Sequence, residues 1–226
     1  MALGRRQKRT DRSKIDATPP WQTRVRPEVA ATTGPFDEKD APDDDIVRAD
    51  LGALRVPVNS GLDLQLEMNE QQQVIAATLA GPGGSMQLGV YAAPRNEGIW
   101  DDVRPEIAAS LTEQNGRPTE RDGAFGTELT GTIAVDGGRL PVRFLGVDGP
   151  RWFLRAMLVG EPADPAKGEA FERVLRQIVV VRGTEPLPVR EPVPLALPKE
   201  IVLDEAALAE AQAAAAAEAE REVDET

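Results

Sequence analysis

The sequence contains no histidine and no cysteine. Without histidine it lacks the side chain best suited to proton transfer near neutral pH. Without cysteine it has neither disulfides nor thiolate ligands, which fits a reducing compartment. Ser-His-Asp, Cys-His and HExxH chemistries are thereby excluded, and a zinc site would have carboxylates alone. Aromatic residues make up only 4% of the chain, so the core is built mostly from Val, Leu, Ile and Ala. No apolar run approaches the roughly 20 residues needed to cross a bilayer. The basic N-terminus is not followed by the apolar stretch of a secretory signal. A soluble, cytoplasmic protein is the expectation. The 226 residues are 41% hydrophobic and 28% charged, with net charge −12. That is room for one domain of ordinary size plus tails.

The strongest local signal lies between Leu140 and Val159, where two apolar runs flank Asp148-Gly149-Pro150. Asp-Gly between such runs marks a β-hairpin, because both central turn residues need φ > 0. A turn centred there sets Phe144 opposite Phe153 and Leu145 opposite Trp152. One face then carries Val142, Phe144, Phe153 and Met157, and the other Leu145, Trp152, Leu154 and Leu158. Apolar weight on both faces predicts an inner strand covered on two sides.

Three segments follow from composition. Residues 1–48 start basic (Arg5, Arg6, Lys8, Arg9, Arg12, Lys14) and become rich in Pro, Thr and Asp, so a disordered leader is expected. Residues 49–183 form the globular domain. Residues 184–226 read as a Pro-rich extended linker and then an acidic Ala/Glu helix with almost no apolar stripe, expected to stay undocked. Within the domain, Leu51–Val58, Leu62–Met68, Val74–Ala80 and Met86–Ala92 predict a four-stranded antiparallel meander. A helix follows, with Asp101 or Asp102 as cap, Val103, Ile107 and Leu111 as apolar stripe, and Gly116 ending it. A strand over Thr127–Val135, the hairpin, a second helix from Asp164-Pro165 and a short strand from Ile178 complete the body. The fold class is α+β: a curved antiparallel sheet with two packing helices.

Candidate chemistry is sparse, and each signal has a structural alternative. Gly81-Pro82-Gly83-Gly84 lacks the Lys-Ser/Thr ending and following helix of a P-loop and reads as a turn. Glu97, Asp101, Asp102 and Glu106 can hold Mg²⁺ or complement a helix N-terminus. Trp100 is either an exposed partner anchor or a staple onto the first helical turn. Arg143, Arg151 and Arg155 can bind an anion, or pair with sheet acids such as Glu67 and Glu128. Alternation places Arg143 and Arg155 on opposite faces. The basic leader is a weak nucleic-acid candidate, since the rest of the protein is acidic.

Several strings together resemble an actinobacterial domain-of-unknown-function family, the 3710 family. They are Gly98-Ile99-Trp100-Asp101-Asp102-Val103-Arg104, Pro141-Val142-Arg143-Phe144, Val147-Asp148-Gly149-Pro150-Arg151-Trp152-Phe153-Leu154-Arg155 and Val180-Val181-Arg182-Gly183. The resemblance runs from about Asp45 to Pro198 and implies a cytoplasmic setting, with no catalytic residues to carry over. A weaker, architectural likeness is to Mog1/PsbP-type α/β/α sandwiches, which mostly bind other macromolecules.

The leading expectation is a non-enzymatic protein-interaction module that offers a sheet margin or the Trp100 region to an unidentified protein partner. No cofactor and no resident metal are implied. The rival is an enzyme or ligand-binding protein that uses Asp101, Asp102, Arg143 and Arg155 with Mg²⁺ or an anionic small molecule.

Overall fold

Period-two alternation gives each strand two faces, and those faces determine how the layers stack. The computed structural model describes residues 33–198, apart from 59 and 71–73. The leader before this range and the Ala/Glu tail after it lie outside the described residues. In chain order the elements are β1 (Phe36–Asp37), β2 (Arg48–Asp50), β3 (Leu54–Pro57), β4 (Asp63–Met68), β5 (Val74–Gly81) and β6 (Gly84–Ala92). Then come α1 (Trp100–Glu113), β7 (Thr119–Gly123), β8 (Gly126–Val135), β9 (Gly138–Gly149), β10 (Trp152–Gly160), α2 (Glu169–Leu175) and β11 (Val179–Val180).

A seven-stranded antiparallel sheet has the order β4-β5-β6-β10-β9-β8-β7, and a four-stranded sheet the order β1-β11-β3-β2. The small sheet is mixed, because β1 runs parallel to β11. The class is α+β, as expected. Two cores lie on opposite faces of the large sheet. Leu145, Trp152, Leu154, Ala156 and Leu158 pack with β3, α2 and β11 residues such as Leu54, Phe171, Leu175 and Val180. Val142, Phe144 and Phe153 pack with Ile99, Trp100 and Leu111 at α1. The layers are therefore α1, the large sheet, and then α2 with the small sheet.

The β9–β10 hairpin keeps its expected faces but not its expected register. Phe144 pairs with Met157, Leu145 with Ala156 and Gly149 with Trp152. The loop is Pro150-Arg151, and Arg151 adopts φ 63°. Proline at the first central position followed by a residue at positive φ is a type II turn pattern, and it overrides the Asp-Gly signal. The pairing slips by an even number of residues, so no side chain changes face.

Four other expectations are corrected. β3 does not join the meander, which is β4-β5-β6 only; it pairs with β2 and β11. Its buried Leu54, Val56 and Pro57 suit an inner position, whereas β4 alternates as an outer strand. β7 gave no periodic signal, because all five of its residues are exposed. Helix α1 ends with Asn115 at φ 58° in place of glycine. Gly116 N donates to Leu111 O (2.6 Å) and Asn115 N to Thr112 O (2.9 Å), the two bonds of a Schellman motif. Helix α2 begins at Glu169, after a 3₁₀ turn at Glu161–Ala163; the Asp164 side chain accepts from the local Ala166 amide and does not cap the helix.

The folded body also extends past the expected limits of 49 and 183. On the N-terminal side β1 lies on β11, with Phe36 N donating to Ile178 O at 2.9 Å. On the other side part of the Pro-rich segment is docked on the sheet. β5 pairs with β6 only as far as Ala77 and Leu88, which leaves the end of β6 open on that side. Residues 190–193 fill the gap: Arg190 N donates to Ala92 O (2.7 Å), Ala92 N to Glu191 O (2.8 Å) and Val193 N to Val90 O (2.9 Å). The donors are the non-proline residues, as they must be. Val193 is buried in the core, and Ala196 N reaches Leu51 O at 2.8 Å.

Candidate functional site

The residues singled out from the sequence do not converge. Trp100 opens α1 but is only 5% exposed. Its indole lies over Gly146 of β9, where a Cβ would enter the ring, and it stacks on Phe153 at 5.8 Å between ring centroids. Its Nε1 donates to Thr127 O at 2.6 Å. Trp100 therefore fastens α1 to the sheet, and its side chain offers no partner surface. Asp101 and Asp102 are exposed on the first turn, and neither caps the helix. Asp101 instead pairs with Arg104 (2.8 Å), which also bonds Glu120 of β7 (2.9 Å) and lies over the Trp100 ring. Burial works against the Arg104 charge, yet its bonds to Asp101 and Glu120 raise its pKa above the ordinary value.

The cap comes from the hairpin. Asp148 accepts from Ile99 N (2.8 Å) and Trp100 N (3.3 Å), and a Cβ on Gly98 would strike its carboxylate. Read locally, Asp148 signals a turn; its partner amides are 48 and 49 residues away. Asp148→Ala is expected to cost about 0.5–2 kcal/mol, the usual value of a cap. A urea titration checks this, with α1 amides showing the largest gain in hydrogen exchange.

Arg143 points to the opposite face and is 1% exposed. Its Nη2 donates to Glu172 of α2 (2.9 Å) and, more weakly, to Pro162 O (3.4 Å); Nη1 donates to Glu128 of β8 (3.4 Å). Arg121 lies 3.8 Å from Glu128, and Arg176 bonds Glu172 at 3.1 Å. The pairing with Glu128 matches the sheet-acid alternative named from the sequence. Glu172 carries no such signal, since the apolar stripe of the second helix does not reveal which strand its acids meet. The cluster is enclosed: a Cβ at Gly168 would meet Arg143 Nη2 (2.5 Å), and one at Gly123 would meet Glu128. It joins β8, β9 and α2.

Arg155 projects from the α1 face, opposite Arg143, as alternation requires. Its guanidinium lies over the Tyr91 ring at 5.1 Å. Arg143 thus stands on the opposite face from Asp101 and Arg155, and those two have different partners, Arg104 and the Tyr91 ring. Among the described residues no three His, Cys, Asp or Glu side chains group so as to hold a metal ion.

Arg151 and Arg182 do come together. Arg182 is 9% exposed, with Nε donating to Arg151 O and Nη1 to Glu185 O, both at 3.1 Å. Burial lowers its pKa, and the neighbouring Arg151 charge lowers it further. Among the described residues no carboxylate pairs with either side chain.

The two margins of the large sheet also differ. β7 presents exposed Thr119, Glu120, Arg121, Asp122 and Gly123. β4 carries half-buried Leu64 and Leu66 on one face and exposed Asp63, Gln65 and Glu67 on the other. Its register shifts between Glu67 and Met68, and Met68 is 53% exposed.

The family model described as "Protein of unknown function (DUF3710)" matches residues 34–204, so the chain belongs to that family. The match extends beyond the span of the resemblance at both ends. Nothing among curated proteins or solved structures matches the chain, so no structural neighbour supports the Mog1/PsbP likeness. No helix among the described residues is long and apolar enough to cross a membrane.

Proposed function

We propose that this protein is a non-enzymatic interaction module that docks a protein partner along the β4 margin. The observation that carries the reading is the asymmetry of the two sheet edges. β7 is charged along its length, the kind of edge that resists pairing. β4 is also an outer strand, but its leucines pack only partly onto the core, and it ends in an exposed methionine. Such an edge accepts an added strand: main-chain hydrogen bonds give affinity, and alternating side-chain positions give specificity. Asp63, Gln65 and Glu67 favour a partner strand that brings cations to that face. A sequence without histidine or cysteine agrees with this reading, since it lacks the commonest acid–base and nucleophilic groups.

The test is affinity purification from the native cell with wild type and a Gln65→Lys/Glu67→Lys variant. Surface changes of this kind usually alter stability by no more than about 0.5 kcal/mol. Wild type is expected to retain a stoichiometric partner that the variant loses while melting at the same temperature. Equal retention by both proteins contradicts the reading. So does recovery of no partner together with reproducible turnover of a small molecule.

A further inference from the structure

We propose that Arg151 and Arg182 form a binding site for a phosphate dianion, free or carried as a monoester. The site lies where the β9–β10 turn meets the segment after β11, and it uses no residue of the β4 margin. The guanidinium of Arg182 is nearly buried, and two backbone carbonyls fix its plane through Nε and Nη1. Its Nη2 has no acceptor among the described residues, yet it is not one of the enclosed atoms lacking a partner. Nη2 is therefore not fully enclosed. Arg151, whose backbone O accepts from Arg182 Nε, sits at the left-handed position of the turn, half-buried and likewise without an acid partner among the described residues.

Elsewhere the protein treats its well-covered arginines differently. Arg48 meets Asp44, Arg104 meets Asp101 and Glu120, and Arg143 meets Glu128 and Glu172. The chain has 38 acidic residues against 26 basic ones, so carboxylates are not in short supply. Two neighbouring cations without one among the described residues suit an external anion. A phosphate monoester carries roughly −1.5 to −2 at neutral pH, which matches two guanidinium groups better than a single carboxylate does. The planar fork of arginine also suits paired phosphate oxygens.

Calorimetric titration of the full-length protein with inorganic phosphate and with phenyl phosphate, at constant ionic strength, tests the assignment. Saturable binding at one site per chain is expected. Tighter binding of the ester assigns the site to phosphorylated compounds, and equal affinity to the free ion. Arg151→Asn removes one cation and keeps a residue that tolerates positive φ. It is expected to weaken binding by about tenfold or more, given the strength of charged hydrogen bonds. Arg182→Lys should weaken it as well by losing the fork, and Arg155→Gln should bind as wild type does. Absence of saturable binding to folded wild type overturns the proposal, as does equal affinity in Arg151→Asn.

Discussion

Gly149→Ala is expected to destabilise the protein by about 3–5 kcal/mol, the range for losing a buried aromatic side chain. Gly149 pairs directly with Trp152 across the hairpin, and a Cβ at position 149 would enter the indole ring. Trp152 is 2% exposed, and its Nε1 donates to Asp37 Oδ2 at 2.8 Å, so it ties β10 to the end of β1. The backbone itself is not the obstacle, since Gly149 is not among the residues at positive φ. The loss is therefore steric and should exceed the about 1–3 kcal/mol typical of a tolerated extra methyl group. Urea denaturation with tryptophan emission measures it. A midpoint close to wild type would show that Trp152 is not packed on Gly149.

Arg143→Met is expected to cost about 3–5 kcal/mol, as does breaking other buried ion pairs. Removing the guanidinium leaves Glu128 without the partner it shares this burial with, and leaves Glu172 to Arg176 alone. Arg121 is 3.8 Å from Glu128 and partly exposed, so it compensates little. Glu128 Oε1 and Arg143 Nε already have no hydrogen-bond partner. Converting the whole cluster to apolar residues, as in Arg143→Met/Glu128→Leu/Glu172→Leu, should recover most of the loss, because no charge is then left buried. Denaturant midpoints for the single and triple variants decide this. A single variant within about 1 kcal/mol of wild type would contradict a buried, mutually dependent cluster.

How much of this was legible in the sequence depended on whether the signal was local. The faces of β9 and β10 were, because period-two alternation survives an even slip; the register was not, because Pro150-Arg151 overrode Asp148-Gly149. The cap on α1 was hidden because Asp148 acts across the fold on Ile99 and Trp100. β7 was hidden because exposed polar residues carry no apolar period. The Pro-rich segment reads the same by composition whether it is free or docked, and only the unfilled edge of β6 explains why it docks. At the candidate sites, opposite placement of Arg143 and Arg155 followed from parity, and Glu128 was one of two sheet acids offered as partners for the arginines. The pairing of Arg151 with Arg182 did not, since a missing counter-ion is a property of three-dimensional surroundings.

The claim that β4 is the docking margin is tested most directly by site-specific photo-crosslinking in the native cell. A crosslinker replaces Gln65 of β4 in one protein and Asp122 of β7 in another. The account predicts one discrete adduct from position 65 and none from position 122. Adducts of the same partner from both positions, or from position 122 alone, would contradict it.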